Sequence, residues 1–178
     1  GQRIQRVFHC SPCGYRDKEI ILALARMRKS TEPSALDALL RRHDRDRYLL
    51  TMFVPVAQRA SVQVLYAFNY EIARVRDTVR EPMLGQIRLQ WWREGIAAAY
   101  GDGIARRHEV LTPLIDSIRR HDLSREHFER LIAARERDLQ LDPPPTLTAL
   151  EAYAEETAAP LQLLVLEALG AGGADANR

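Results

Sequence analysis

From Ser34 onward apolar side chains recur at steps of three and four, the period of amphipathic helices, and no stretch alternates as a strand would. Ser34 is placed to cap a first helix over residues 34–51, with Leu36, Leu39, Leu40, Tyr48, Leu49 and Met52 turned inward; Pro55 ends it. A second helix follows over residues 57–79, where Leu65, Phe68, Ile72, Val75 and Val79 fall on one face as a core stripe. Pro82 suits the first turn of a third helix reaching about Tyr100, and the glycines at 101 and 103 close it. Thr112 with Pro113 opens a short fourth helix to about His121. Ser124 can cap a fifth that runs to about Leu141, where Asp142 and the prolines at 143, 144 and 145 stop it. Thr148 with Glu151 forms a capping box for a sixth helix ending near Leu169, with Gly170 beyond it.

The predicted fold class is therefore all-α. Residues 34–170 make one helical domain, residues 1–33 an extension expected to be disordered or weakly helical, and residues 171–178 a frayed tail. The chain has 178 residues, 46% hydrophobic and 28% charged, which suits a single domain with a core and excludes a disulfide miniprotein. Its 26 basic and 24 acidic side chains leave a net charge of +2, no electrostatic reason to expect nucleic acid as a partner. Charge-free runs reach 11 residues, short of the roughly 18 a membrane span needs. No secretory signal is expected, and Cys10 and Cys13 lie too close in sequence for a stabilising long-loop disulfide, so a reducing compartment is the default.

Chemistry concentrates on the second helix. At 100° per residue, Tyr66, Asn69, Tyr70, Ala73 and Asp77 form a second stripe, about a third of a turn from the apolar one. Such a stripe either lines a cavity of a helical bundle or makes a wet outer face. Pro55, Gln58, Arg59, Val62, Leu65, Tyr66, Ala67, Ile72 and Asp77 together resemble the segment that carries the first aspartate motif of the squalene and phytoene synthase family. The resemblance runs on through Arg88, Trp92 and Glu94 and through residues 153–170, and so covers about residues 47–170.

That resemblance implies an all-α isoprenoid (terpenoid) synthase fold, of which this chain would hold the N-terminal part, as a fragment lacking the second aspartate motif. It also implies head-to-head condensation of two prenyl diphosphates with Mg²⁺ as cofactor. Two carboxylates one turn apart suit Mg²⁺ ions that bridge a diphosphate, because ionisation of that group needs its charge neutralised. Carried over residue by residue, Tyr66, Asn69 and Tyr70 stand at diphosphate-binding positions and Asp77 at the second metal ligand. Ala73 replaces the first ligand, however, and Tyr70 the phosphate-binding arginine.

The run from Tyr66 to Asp77, with Glu81 and the Gln90-Trp91-Trp92 segment, is similar to a subgroup regarded as non-catalytic, which assists assembly of respiratory complex I. The expected function is accordingly a non-catalytic scaffold that binds a protein partner. The alternative is an active prenyl diphosphate condensing transferase of squalene or phytoene biosynthesis. A prenyl diphosphate or other isoprenoid lipid is a further implied ligand, with peripheral membrane contact. The implied location is the bacterial cytoplasm or the periphery of the inner membrane, or the matrix side in a mitochondrion.

Other features read more plainly. His9, Cys10 and Cys13 are three ligand types for zinc, but a structural site wants a fourth, and His43, His108, His121 and His127 supply no second pair at a metal-binding spacing. The mixed run at residues 41–47 reads as a solvated helix end. Trp92 is assigned to the core and Trp91 to an interface or membrane surface, since neighbours in a helix point about 100° apart. Glu155 and Glu156 favour the helix dipole near the start of their helix.

Overall fold

The computed structural model describes residues 34–101, 106–140 and 143–171; His9, Cys10 and Cys13, the N-terminal extension and the end of the tail lie outside them. Among the described residues the fold is all-α, as the periodicity requires. Its helices are α1 (Ala35–His43), α2 (Arg45–Thr51), α3 (Val56–Ala73), α4 (Val75–Thr78), α5 (Pro82–Ala97), α6 (Leu111–His121), α7 (Arg125–Arg137) and α8 (Leu147–Ala168), with a 3₁₀ turn at Ala98–Tyr100.

Helix α3 is the hub and touches α1, α2, α6, α7 and α8. The expected core stripe is buried at Leu65, Phe68 and Ile72 of α3 and at Val75 of α4, and its last member, Val79, is half-buried. The Phe68 ring meets Trp92 and Phe128 edge-on, each at 5.5 Å between centroids, so one aromatic cluster joins α3, α5 and α7. Gly101 (φ 94°) and Gly170 (φ 79°) adopt the left-handed backbone that ends a helix without the cost of a Cβ.

The expected first helix is two. Asp44 leaves helical geometry (φ −145°, ψ 67°) and its carboxylate accepts from the Arg47 backbone N–H at 3.2 Å, so a local cap outcompetes continuation. Leu49 and Met52, expected inward, are exposed, because the break re-aims α2. The expected second helix also divides, at Arg74, where the Asp77 N–H reaches the Arg74 carbonyl in a tightened turn. Helix α6 begins at Leu111, with the Val110 and Leu111 N–H groups donating to His108 Nδ1. Helix α7 ends at Arg137 rather than near Leu141, in three-residue turns to Glu136 and Arg137 ahead of the prolines. Helix α8 is capped by Thr146 rather than Thr148: extended after Pro145, its hydroxyl accepts from the Ala149 N–H at 3.1 Å.

Between α7 and α8 the contact is held by Glu167. Its carboxylate accepts from the Ser124 N–H at 2.9 Å and the Ser124 hydroxyl at 2.5 Å, and lies 3.5 Å from His127 Nε2. Ser124 thus stands at the start of α7 as expected, but a carboxylate from another helix does the capping. Arg93 of α5 bridges Glu129 and Glu136 of α7 at 2.8 and 2.9 Å. Burial pushes the Tyr100 hydroxyl up to about 12, and it donates to the Leu123 carbonyl at 2.7 Å.

Candidate functional site

The polar stripe of α3 begins inside the molecule and ends outside it. Tyr66 and Asn69 are buried, Tyr70 and Ala73 half-buried, and Asp77 exposed beyond the bend at Arg74. Helices α1 and α2 close over the buried end, bringing three residues that the sequence pattern did not single out for the site. The His43 ring stacks on Tyr70 at 4.9 Å with 21° between planes. Arg47 lies over the Tyr66 ring at 5.7 Å and is held there by Asp44 at 2.7 Å. These lie in the charge run expected to be solvated; Arg41, Arg42, Arg45 and Asp46 are, whereas Asp44 and Arg47 are half-buried. The Asp44 and Arg47 spacing of three was the available signal.

Electrostatics make this face a weak anion site at most. Burial pushes the Tyr66 phenol up, with Arg47 opposing and Asp44 adding to the shift, so the hydroxyl stays protonated as a donor at neutral pH. Arg47 is paired with Asp44, and Arg74 lies over the Tyr70 ring at 5.4 Å and pairs with Glu71 at 3.3 Å. Asn69 carries a buried Oδ1 with no partner among the described residues. No three His, Cys, Asp or Glu side chains among the described residues converge as metal ligands. One exposed carboxylate next to an alanine gives a magnesium-bridged diphosphate nothing to close on.

A cavity of about 360 Å³ opens beside the same helices but is lined by Glu71, Arg74, Thr78, Arg88, Trp91 and His108 rather than by the polar stripe. Trp92 is core, as expected. Trp91, expected at an interface or a membrane surface, is half-buried, packed edge-on against Trp92 and His108 with Arg106 over its ring. Glu156 pairs with Arg137 in addition to its place near the start of α8. No helix among the described residues is long and apolar enough to cross a membrane.

The squalene/phytoene synthase family model matches residues 40–178, a stretch that includes the whole stripe from Tyr66 on α3 to Asp77 on α4. The chain belongs to that family. It is 35% identical over 132 residues to NADH dehydrogenase (ubiquinone) complex I, assembly factor 6, of Homo sapiens, covering 74% of this chain and 39% of that protein. The Bos taurus protein of the same name matches to the same extent. Presqualene diphosphate synthase of Rhodopseudomonas palustris is 29% identical over 129 residues, covering 72% of this chain and 45% of that protein. The chain thus spans about two fifths of the length of the assembly factors it matches. No solved structure matches it.

Proposed function

We propose that this chain belongs to a family member that has given up prenyl condensation and acts by binding a protein partner, in the assembly of respiratory complex I. The observation that carries the reading is the pair of positions 73 and 77. An alanine fills the first metal-ligand position, and the remaining carboxylate sits exposed past a helix bend. The residues present do not fit the family's Mg²⁺, so no chemical step runs through a metal here. Tyr70 in place of an arginine removes the bidentate phosphate contact as well. What remains is a packed aromatic face of Tyr66, Tyr70 and His43, which favours holding a helix pair rigid over moving a substrate. The names of the relatives support the partner class, and the site of action is then the face of the membrane on which complex I is assembled.

The test is genetic and biochemical together. Disrupting the gene in its host should lower the amount of assembled NADH:ubiquinone oxidoreductase, and both the native gene and Asp77→Asn should restore it. Restoration by the native gene but not by Asp77→Asn would mean that the carboxylate works as a metal ligand, the transferase outcome. An unchanged level of the complex on disruption would remove complex I as the target.

A further inference from the structure

We propose that the corner between α2 and α3 inserts into the surface of an anionic lipid bilayer. Five large apolar side chains crowd it and are left in water: Leu49 is 49% exposed, Leu50 57%, Met52 39%, Phe53 87% and Val56 79%. Scattered apolar residues need no explanation, but five within eight positions form a patch that a soluble surface does not keep without use. They stand together at the turn that joins α2 to α3.

Two further observations favour lipid. Insertion demands that the backbone of the corner satisfy itself, since acyl chains offer no hydrogen bonds. The Met52, Phe53 and Val54 N–H groups donate to the Leu49, Leu50 and Thr51 carbonyls, and Pro55 has no N–H to satisfy. Arg59 then reaches back with Nη2 to the Met52 and Val54 carbonyls at 3.3 and 3.2 Å, and the Pro55 carbonyl takes the Gln58 and Arg59 N–H groups.

Charge supplies the second. Residues 48–58 carry no charge, and the flanks from 41 to 59 hold five arginines against two aspartates. Arg45 lies one helical turn before Leu49 on α2, and Arg41 and Arg42, at the end of α1 across the break at Asp44, add further positive charge for lipid phosphates. The contact is interfacial, as no helix among the described residues can span. It does not rest on the partner proposed above.

The experiment uses the full chain and sedimentation with vesicles of phosphatidylglycerol and phosphatidylcholine, with pure phosphatidylcholine as control. Binding to the anionic vesicles should be salt-sensitive, and Leu50→Asp with Phe53→Asp should weaken it by at least about tenfold, at unchanged helical circular dichroism. Arg42→Glu with Arg45→Glu should weaken it and flatten the salt dependence. Phe53→Trp should acquire emission that brominated lipid quenches. Vesicle binding untouched by the aspartates, or absent altogether, overturns the proposal. Aspartates that instead dissolve a dimer, or release a bound protein, with vesicle binding unchanged assign the corner to a protein interface and overturn it equally.

Discussion

At the scale of the residue, position 73 decides the chemistry and positions 85 and 95 show how little room the core leaves. Ala73→Asp restores two carboxylates four residues apart and should tighten calorimetric binding of Mg²⁺ with pyrophosphate by roughly tenfold. Unchanged binding would mean that the turn tightened at Arg74 carries Asp77 off the face that 73 shares with Tyr66 and Asn69. A Cβ on Gly95 would stand 2.5 Å from Cδ2 of the fully buried Leu111. Gly95→Ala gains about 1 kcal/mol of helix propensity but forces a core side chain off its rotamer, so a net loss of about 1–2 kcal/mol is expected in chemical denaturation. Gly85→Ala meets Leu139 at 2.4 Å, but Leu139 lies past the end of α7 and can shift, so its loss should be smaller.

Among elements, the joint of α7 and α8 is tied at the start of α7 by Glu167. Glu167→Ala removes both bonds to Ser124 and leaves the first turn of α7 without its acceptor, which should cost about 2 kcal/mol in thermal unfolding. A loss below about 0.5 kcal/mol would show that water caps α7 as well. The same joint shows what sequence reasoning reaches. Periodicity located every long helix, because the Leu65, Phe68, Ile72 and Val75 stripe repeats the helical period on one side, and it placed Trp92 correctly. It missed the break at Asp44 and the cap at Thr146, where short polar side chains bond the backbone locally and a period carries no record of that choice. It turned Leu49 and Met52 inward because an apolar residue says nothing of whether a partner helix exists to cover it. Along the polar stripe, spacing placed Tyr66, Asn69 and Tyr70 on one face of α3. His43 was not placed there, and the Asp44 and Arg47 spacing showed a local pair but not that it lies over α3, which the angle between helices decides.

As a whole molecule, the chain keeps the helical frame of its family around a face in which Ala73 and Tyr70 stand where the family resemblance calls for an aspartate and an arginine. The frame accounts for the family match, and the altered face is the basis of the proposed change from reaction to assembly. The most direct measurement is release of pyrophosphate from farnesyl or geranylgeranyl diphosphate by the full-length protein with saturating Mg²⁺. The account predicts release no faster than without protein, and the same for Asp77→Asn. Steady turnover above that background, abolished by Asp77→Asn, would contradict it.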